Sequence, residues 1–165
     1  MIVSGTRYSG RDILYVYRQI ENTSYEPARW KFKHKIDPLG EKGLRMKMRN
    51  PPVFDVSQEY IAIAGYRGEK FTKSYREMVA LYKLKRYSNG DVRFIYQGKT
   101  KDPRYKDSLK SGLYKLSSNE FGYSLAVSDS GDVFVGSPRA YSRLKNGKIE
   151  SKGSVDLFLS NEFKK

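Results

Sequence analysis

Few side chains in this sequence could do chemistry. His34 is the only histidine, and cysteine is absent. With one imidazole and no thiol, a metal site built on His or Cys lacks ligands, and there is neither a cysteine nucleophile nor a disulfide framework. No Ser-His-Asp constellation is identifiable. The phosphate-cradling pattern Gly-x-x-x-x-Gly-Lys-Ser/Thr and the dinucleotide pattern Gly-x-Gly-x-x-Gly are also missing. His34 lies in an alternating stretch and reads as a partly buried packing residue. The expectation is therefore no enzyme, no catalytic residue, no metal and no cofactor.

Charge is the more informative chemistry. The chain carries 32 Lys and Arg against 18 Asp and Glu, a net charge of +14, together with 14 tyrosines. Such a balance suits nucleic acid or another acidic partner surface. The sharpest feature is a pair of alternating runs. In Trp30–Ile36, Trp30, Phe32, His34 and Ile36 alternate with Lys31, Lys33 and Lys35. In the second, Leu44, Met46 and Met48 alternate with Arg45, Lys47 and Arg49. If the runs pair, one face is apolar and the other presents Lys31, Lys33, Lys35, Arg45, Lys47 and Arg49 to an anionic partner. That partner would be a phosphate backbone, an acidic protein surface or a lipid headgroup. Like charges this close repel by only about 1 kcal/mol per pair in water, so a solvated face of this kind is tolerable. On this reading Trp30 and Phe32 face the buried side and make poor stacking platforms. A second basic segment, Gly98–Gly112, holds Lys99, Lys101, Arg104, Lys106 and Lys110 in a loop.

The elements that must position these residues read as short strands. Met1–Gly5, Ile13–Tyr17, Tyr60–Gly65, Met78–Leu84 and Val92–Tyr96 are rich in β-branched and aromatic residues and are bounded by turn signals. Asp37-Pro38-Leu39-Gly40 is a turn, Asn50-Pro51-Pro52 stops the second basic run, and Ser88-Asn89-Gly90-Asp91 closes a hairpin through a type I′ turn. Lys73–Arg86 approaches helical spacing, but its β-rich flanks favour a strand. The 165 residues suit one domain, and no run approaches the ~20 apolar residues of a membrane helix. Met1–Gly10 has no apolar core, so no signal peptide is expected.

Phe121–Phe158 carries three further strand candidates: Phe121–Val127, Val133–Val135 closed by Gly136-Ser137-Pro138, and Val155–Phe158 after Gly153-Ser154. Phe-Gly, strand, Gly-x-Pro, variable loop, Gly-Ser, strand resembles the FG-GAP repeat, which builds β-propeller blades in integrin α-subunits and in many bacterial and viral proteins. Aligned on this copy, the upstream strands form two weaker copies, with Lys42-Gly43 in place of Phe-Gly in the middle one. Strands labelled A to D from the inside out then run B-C-D, A-B-C-D, A-B-C over residues about 1–36, 43–96 and 121–159 of a single β-repeat domain, 1–165. The expected fold is all-β, a partial β-propeller of about three FG-GAP-like blades; the alternative is a small antiparallel β-barrel or sandwich. The resemblance also implies a calcium loop at Ser128-Asp129-Ser130-Gly131-Asp132. Only two carboxylates remain there, so a tight turn with Gly131 in a strained conformation is the expectation, without calcium.

Such a run is too short to close a ring of about four to eight blades, and its ends expose strand edges. The expected function is a non-enzymatic structural or interaction module. It would complete its β-structure with itself or a larger partner, in the manner of a phage virion or tail component assembled in the cytoplasm. The alternative is a basic nucleic-acid-binding protein using the six-charge face and the Lys99–Lys110 segment.

Overall fold

The computed structural model describes residues 2–8, 11–20, 29–69, 72–73, 75–105, 120–143 and 149–165. They form antiparallel sheets, none closed into a barrel. The first sheet has the order β1-β2-β3, from β1 (Ile2–Tyr8), β2 (Arg11–Ile20) and β3 (Arg29–Ile36). The second is a four-stranded meander of β4 (Lys47–Val56), β5 (Tyr60–Arg67), β6 (Arg76–Arg86) and β7 (Val92–Lys101). The third comprises β8 (Ser124–Val127), β9 (Val133–Ser137) and β12 (Ser154–Phe158), with β9 central. A small ribbon, β10 (Tyr141–Arg143) with β11 (Ile149–Ser151), is inserted between β9 and β12.

The middle sheet is buried on both faces, and its sequence shows why. β5 begins Tyr-Ile-Ala-Ile-Ala-Gly and β6 contains Met-Val-Ala-Leu-Tyr, continuous apolar runs rather than a half-buried alternation. Successive side chains go to opposite faces. Ile61, Ile63, Met78, Ala80, Tyr82 and Leu84 pack with Leu14, Val16 and Ile36 of the first sheet. Tyr60, Ala62, Ala64, Val79 and Leu81 pack with Phe121, Val133 and Val135 of the third. The three sheets therefore stack face to face. Leu14, Val16 and Ile36 each contribute about 1.5–3 kcal/mol by leaving water.

Two turn expectations change. The β6–β7 hairpin forms, but only Gly90 adopts a positive φ (78°), so the connection is not type I′. Asn89 instead accepts the Asp91 N–H through its side-chain oxygen at 2.9 Å. Pro51-Pro52 does not stop β4. The strand continues to Val56 through a register shift between Met48 and Val53, which an edge strand tolerates because its outer N–H groups have no ladder to complete. Leu44 and Met46, read as strand residues, come instead from the compact turn before β4, where the Met46 N–H reaches Pro38 O at 3.0 Å. Both are nevertheless buried.

His34 is a packing residue that also joins two sheets. Its Nε2 accepts the backbone N–H of Phe94 at 2.9 Å, and its ring lies 6.0 Å from the Phe94 ring. Burial, helped by nearby Arg93 and opposed by Asp91, holds its pKa below the ordinary value near 6.5. The folded state thus favours neutral His34. Its contribution to stability is present above about pH 6.5 and is lost as pH falls through the depressed folded value. Acidification from pH 7 to 5 is expected to lower the thermal midpoint, and His34→Gln to remove most of that slope. An equal slope in the variant would refute this role.

Candidate functional site

The two basic runs do not pair. β3 pairs with β2 and lies over β7, whereas β4 pairs with β5 and lies under β1 and β2. Lys31, Lys33 and Lys35 are thus at one edge of the sheet stack, and Arg45, Lys47 and Arg49 at the other. Arg45 is exposed in the turn before β4 with φ 46°, and Lys47 is exposed at the start of the strand. Arg49 is turned inward: its Nη2 donates to Glu77 Oε1 at 2.8 Å and to the Phe121 carbonyl at 2.7 Å.

Glu77 completes that arrangement by accepting the Phe121 N–H at 3.1 Å. Arg49 and Glu77 together hold both backbone polar groups of Phe121, whose ring is fully buried between the second and third sheets. Burial raises the Glu77 carboxyl above its ordinary range, outweighing Arg49 and the Phe121 N–H. This buried acid therefore has a structural task, seating the start of the third sheet. Arg104, expected in a basic loop, is likewise drawn into an ion-pair network with Asp102 and Asp156. Lys99 and Lys101 belong to β7; Lys106 and Lys110 lie outside the described residues.

The aromatic residues of β3 are also placed differently from expectation. Trp30 is 40% exposed and Phe32 50% exposed. The cause is a bulge: Val16 faces His34, but the next residue, Tyr17, faces Phe32, leaving Lys33 as an extra residue. Ile36 and His34 keep the inward face beside Leu14 and Val16. Beyond the bulge the alternation reverses, putting Phe32 and Trp30 on the outer face with Tyr15, Tyr17 and Lys35, and Lys31 on the opposite face with Arg18. The Phe32 ring lies 6.0 Å from that of Tyr15 and 5.9 Å from that of Tyr17, so the outer face carries a contiguous aromatic group.

The outer face of the third sheet has another character. Ala126, Phe134 and Leu157 align across β8, β9 and β12, and Ser124, Gly136 and Val155 form the next row. Phe134 is 47% exposed, Leu157 51% and Val155 72%. Neither row contains a charged residue.

The turn at Ser128–Asp132 takes the expected form, with Gly131 at φ 87°. Asp129 Oδ1 accepts the Gln58 N–H at 2.9 Å and Asp132 Oδ1 the Ser160 N–H at 3.0 Å, so both carboxylates tie neighbouring segments to the turn. A cavity of about 860 Å³ opens where the ends of β4, β6 and β7 approach β2. Its lining mixes Arg18 and Arg86 with Asp91 and Asp129 and selects no one ligand charge. Among the described residues, no group of three or more His, Asp or Glu side chains is arranged to hold a metal ion. No family model, curated protein or solved structure matches this chain.

Proposed function

We propose that this chain is a non-enzymatic structural or interaction module that completes its β-structure by assembling with copies of itself or with a larger partner. The observation that carries the proposal is the uncharged outer face of the third sheet, where Phe134, Val155 and Leu157 stand exposed in adjacent rows. Contiguous apolar surface on a β-sheet face favours protein contact. The complementary surface is another uncharged sheet face, because burying an unpaired charge against these rows would be costly.

The stacked meander sheets support reading the chain as about three blades of a partial propeller, with Phe121–Phe158 as the FG-GAP-like copy. The first sheet would lack its innermost strand and the third its outermost. A short, cysteine-free chain that completes its sheets by assembly would suit a subunit of a larger particle, such as a phage virion or tail, and such a particle is the setting we propose. Among the described residues, no helix is long and apolar enough to cross a membrane.

Native mass measurement on the purified chain and on its complex from source tests the proposal. The expected result is an assembly in at least one preparation, dissociated by Phe134→Asp with Leu157→Asp. A single-chain mass in both preparations would overturn it.

A further inference from the structure

The geometry points to a second binding surface, a site for single-stranded nucleic acid on the outer face of the first sheet, with Trp30 and Phe32 as the base-stacking platform. Single-strand sites combine exposed aromatic rings with a positive surround that follows the phosphates. Here the bulge in the β2–β3 pairing supplies the first part. It turns Trp30 and Phe32 outward onto the face that holds Tyr15 and Tyr17. Trp30 lies opposite Gln19 and Phe32 opposite Tyr17, so the two rings are two residues apart along an edge strand, open to a ligand running beside it.

The surround is positive. Lys35 shares the outer face opposite Tyr15, while Lys31 and Arg18 stand across from one another on the reverse of the same edge. All three are exposed, within reach of phosphates passing either side of β3. The only acidic residue in β1, β2 or β3 is Asp12, at the end of β2 remote from Trp30, while Asp91 and Asp129 of other elements lie on the reverse side, in the cavity that Arg18 also lines. This charge distinguishes the surface from the third sheet's outer face, which is apolar and uncharged. The same contrast argues against a second copy of this chain, net charge +14, as its occupant. Duplex nucleic acid fits less well, because its bases are already stacked and offer no free ring faces.

Trp30 is the only tryptophan and is therefore a built-in reporter. Titration with oligo-dT and oligo-rU at low salt is expected to quench its fluorescence. The affinity for a labelled oligo-dT should fall with log salt at a slope of about −0.7 per phosphate neutralised. Trp30→Ala and Phe32→Ala are each expected to weaken oligo-dT binding about tenfold, while leaving the weaker duplex binding within about twofold. Trp30→Phe should restore most of the loss, and circular dichroism should confirm that each variant is folded. Lys31→Gln with Lys35→Gln should weaken both ligands and flatten the salt slope. Absence of quenching at low salt would overturn the inference. So would equal losses for single strand and duplex in the aromatic variants, or Trp30 fluorescence that responds to protein concentration instead of oligonucleotide. Phe134→Asp with Leu157→Asp should leave oligo-dT binding intact, which separates this surface from the assembly face.

Discussion

Replacing Arg104 with alanine is expected to destabilise the protein by about 3–5 kcal/mol, the range for removing one partner of a buried ion pair. Arg104 follows β7 and reaches across to the third sheet. Its Nη2 lies 2.8 Å from Asp156 Oδ2 and 3.1 Å from Ser137 Oγ. Its Nη1 lies 2.6 Å from Ser154 Oγ, and its Nε is 3.0 Å from Asp102 Oδ1. The side chain is only 19% exposed and that of Asp102 5%, so water screens this network far less than the surface pair Arg93–Asp91. Alanine would leave two carboxylates without their shared cation. Lysine should recover only part of the loss, because an ammonium cannot reproduce the planar fork on Asp156. Pairing Arg104→Met with Asp156→Leu should be less destabilising than either single change, since it removes one of the two carboxylates together with the cation, while Asp102 keeps its charge. Urea unfolding of the five variants checks this. A loss below about 1 kcal/mol for Arg104→Ala would show that the pair behaves as a solvent-screened surface bridge.

The destination of Arg104 is not legible in its local sequence. The doubly buried strands β5 and β6 were legible because their apolar runs are continuous and bounded. The Ser128–Asp132 turn was legible from its glycine and serines. The outward rotation of Trp30 and Phe32 was not, because Trp30–Ile36 is a faultless alternation taken by itself. The extra residue, Lys33, appears only when β3 is laid against β2, and one extra residue puts the side chains on its two sides out of phase, so that Trp30 and Phe32 face opposite to His34 and Ile36. The two basic runs looked like partners because both alternate; alternation specifies a face but not which strand lies alongside. Arg49 and Arg104 read as surface cations because nothing local marks a basic residue whose acceptors lie in a different sheet. Glu77 and Asp156 are 28 and 52 residues away from them. The β10–β11 ribbon, three residues per strand, fell within what read as a variable loop.

These misplacements share a consequence for the candidate surfaces. The six residues expected to form one anionic-partner face are divided by the fold into three lysines at one edge, of which Lys31 and Lys35 are exposed and Lys33 half-buried, two residues at the opposite edge and one internal clamp. What remains is a basic edge with aromatics on one side. Neutralising Arg49 would therefore act on stability, not on nucleic-acid affinity, whereas neutralising Lys31 and Lys35 should act on affinity alone.

Gly122→Ala is expected to cost about 2–5 kcal/mol, a combination of left-handed backbone strain and overpacking. Gly122 has φ 81°, which an L side chain accepts only with strain. A Cβ there would also lie 2.7 Å from the Ala64 Cβ and 3.5 Å from Val79 Cγ2. Ala64 is fixed in the doubly buried β5 and cannot swing away. Nor can the turn retreat, because Gly122 and Tyr123 both donate their N–H groups to the Gly136 carbonyl at 3.1 and 3.0 Å. Phe121, one residue earlier, is clamped by Arg49 and Glu77. Gly43 separates the two causes. It has nearly the same φ, 83°, but an added Cβ meets nothing within 4 Å, so Gly43→Ala should carry only the strain, about 1–2 kcal/mol. Equal denaturation midpoints for the two variants would remove close packing from the explanation. A larger loss at Gly122 would give the Phe121-Gly122 pair a physical meaning independent of any resemblance. The phenylalanine fills the gap between the second and third sheets, and the glycine is what lets the chain come close enough for it to do so.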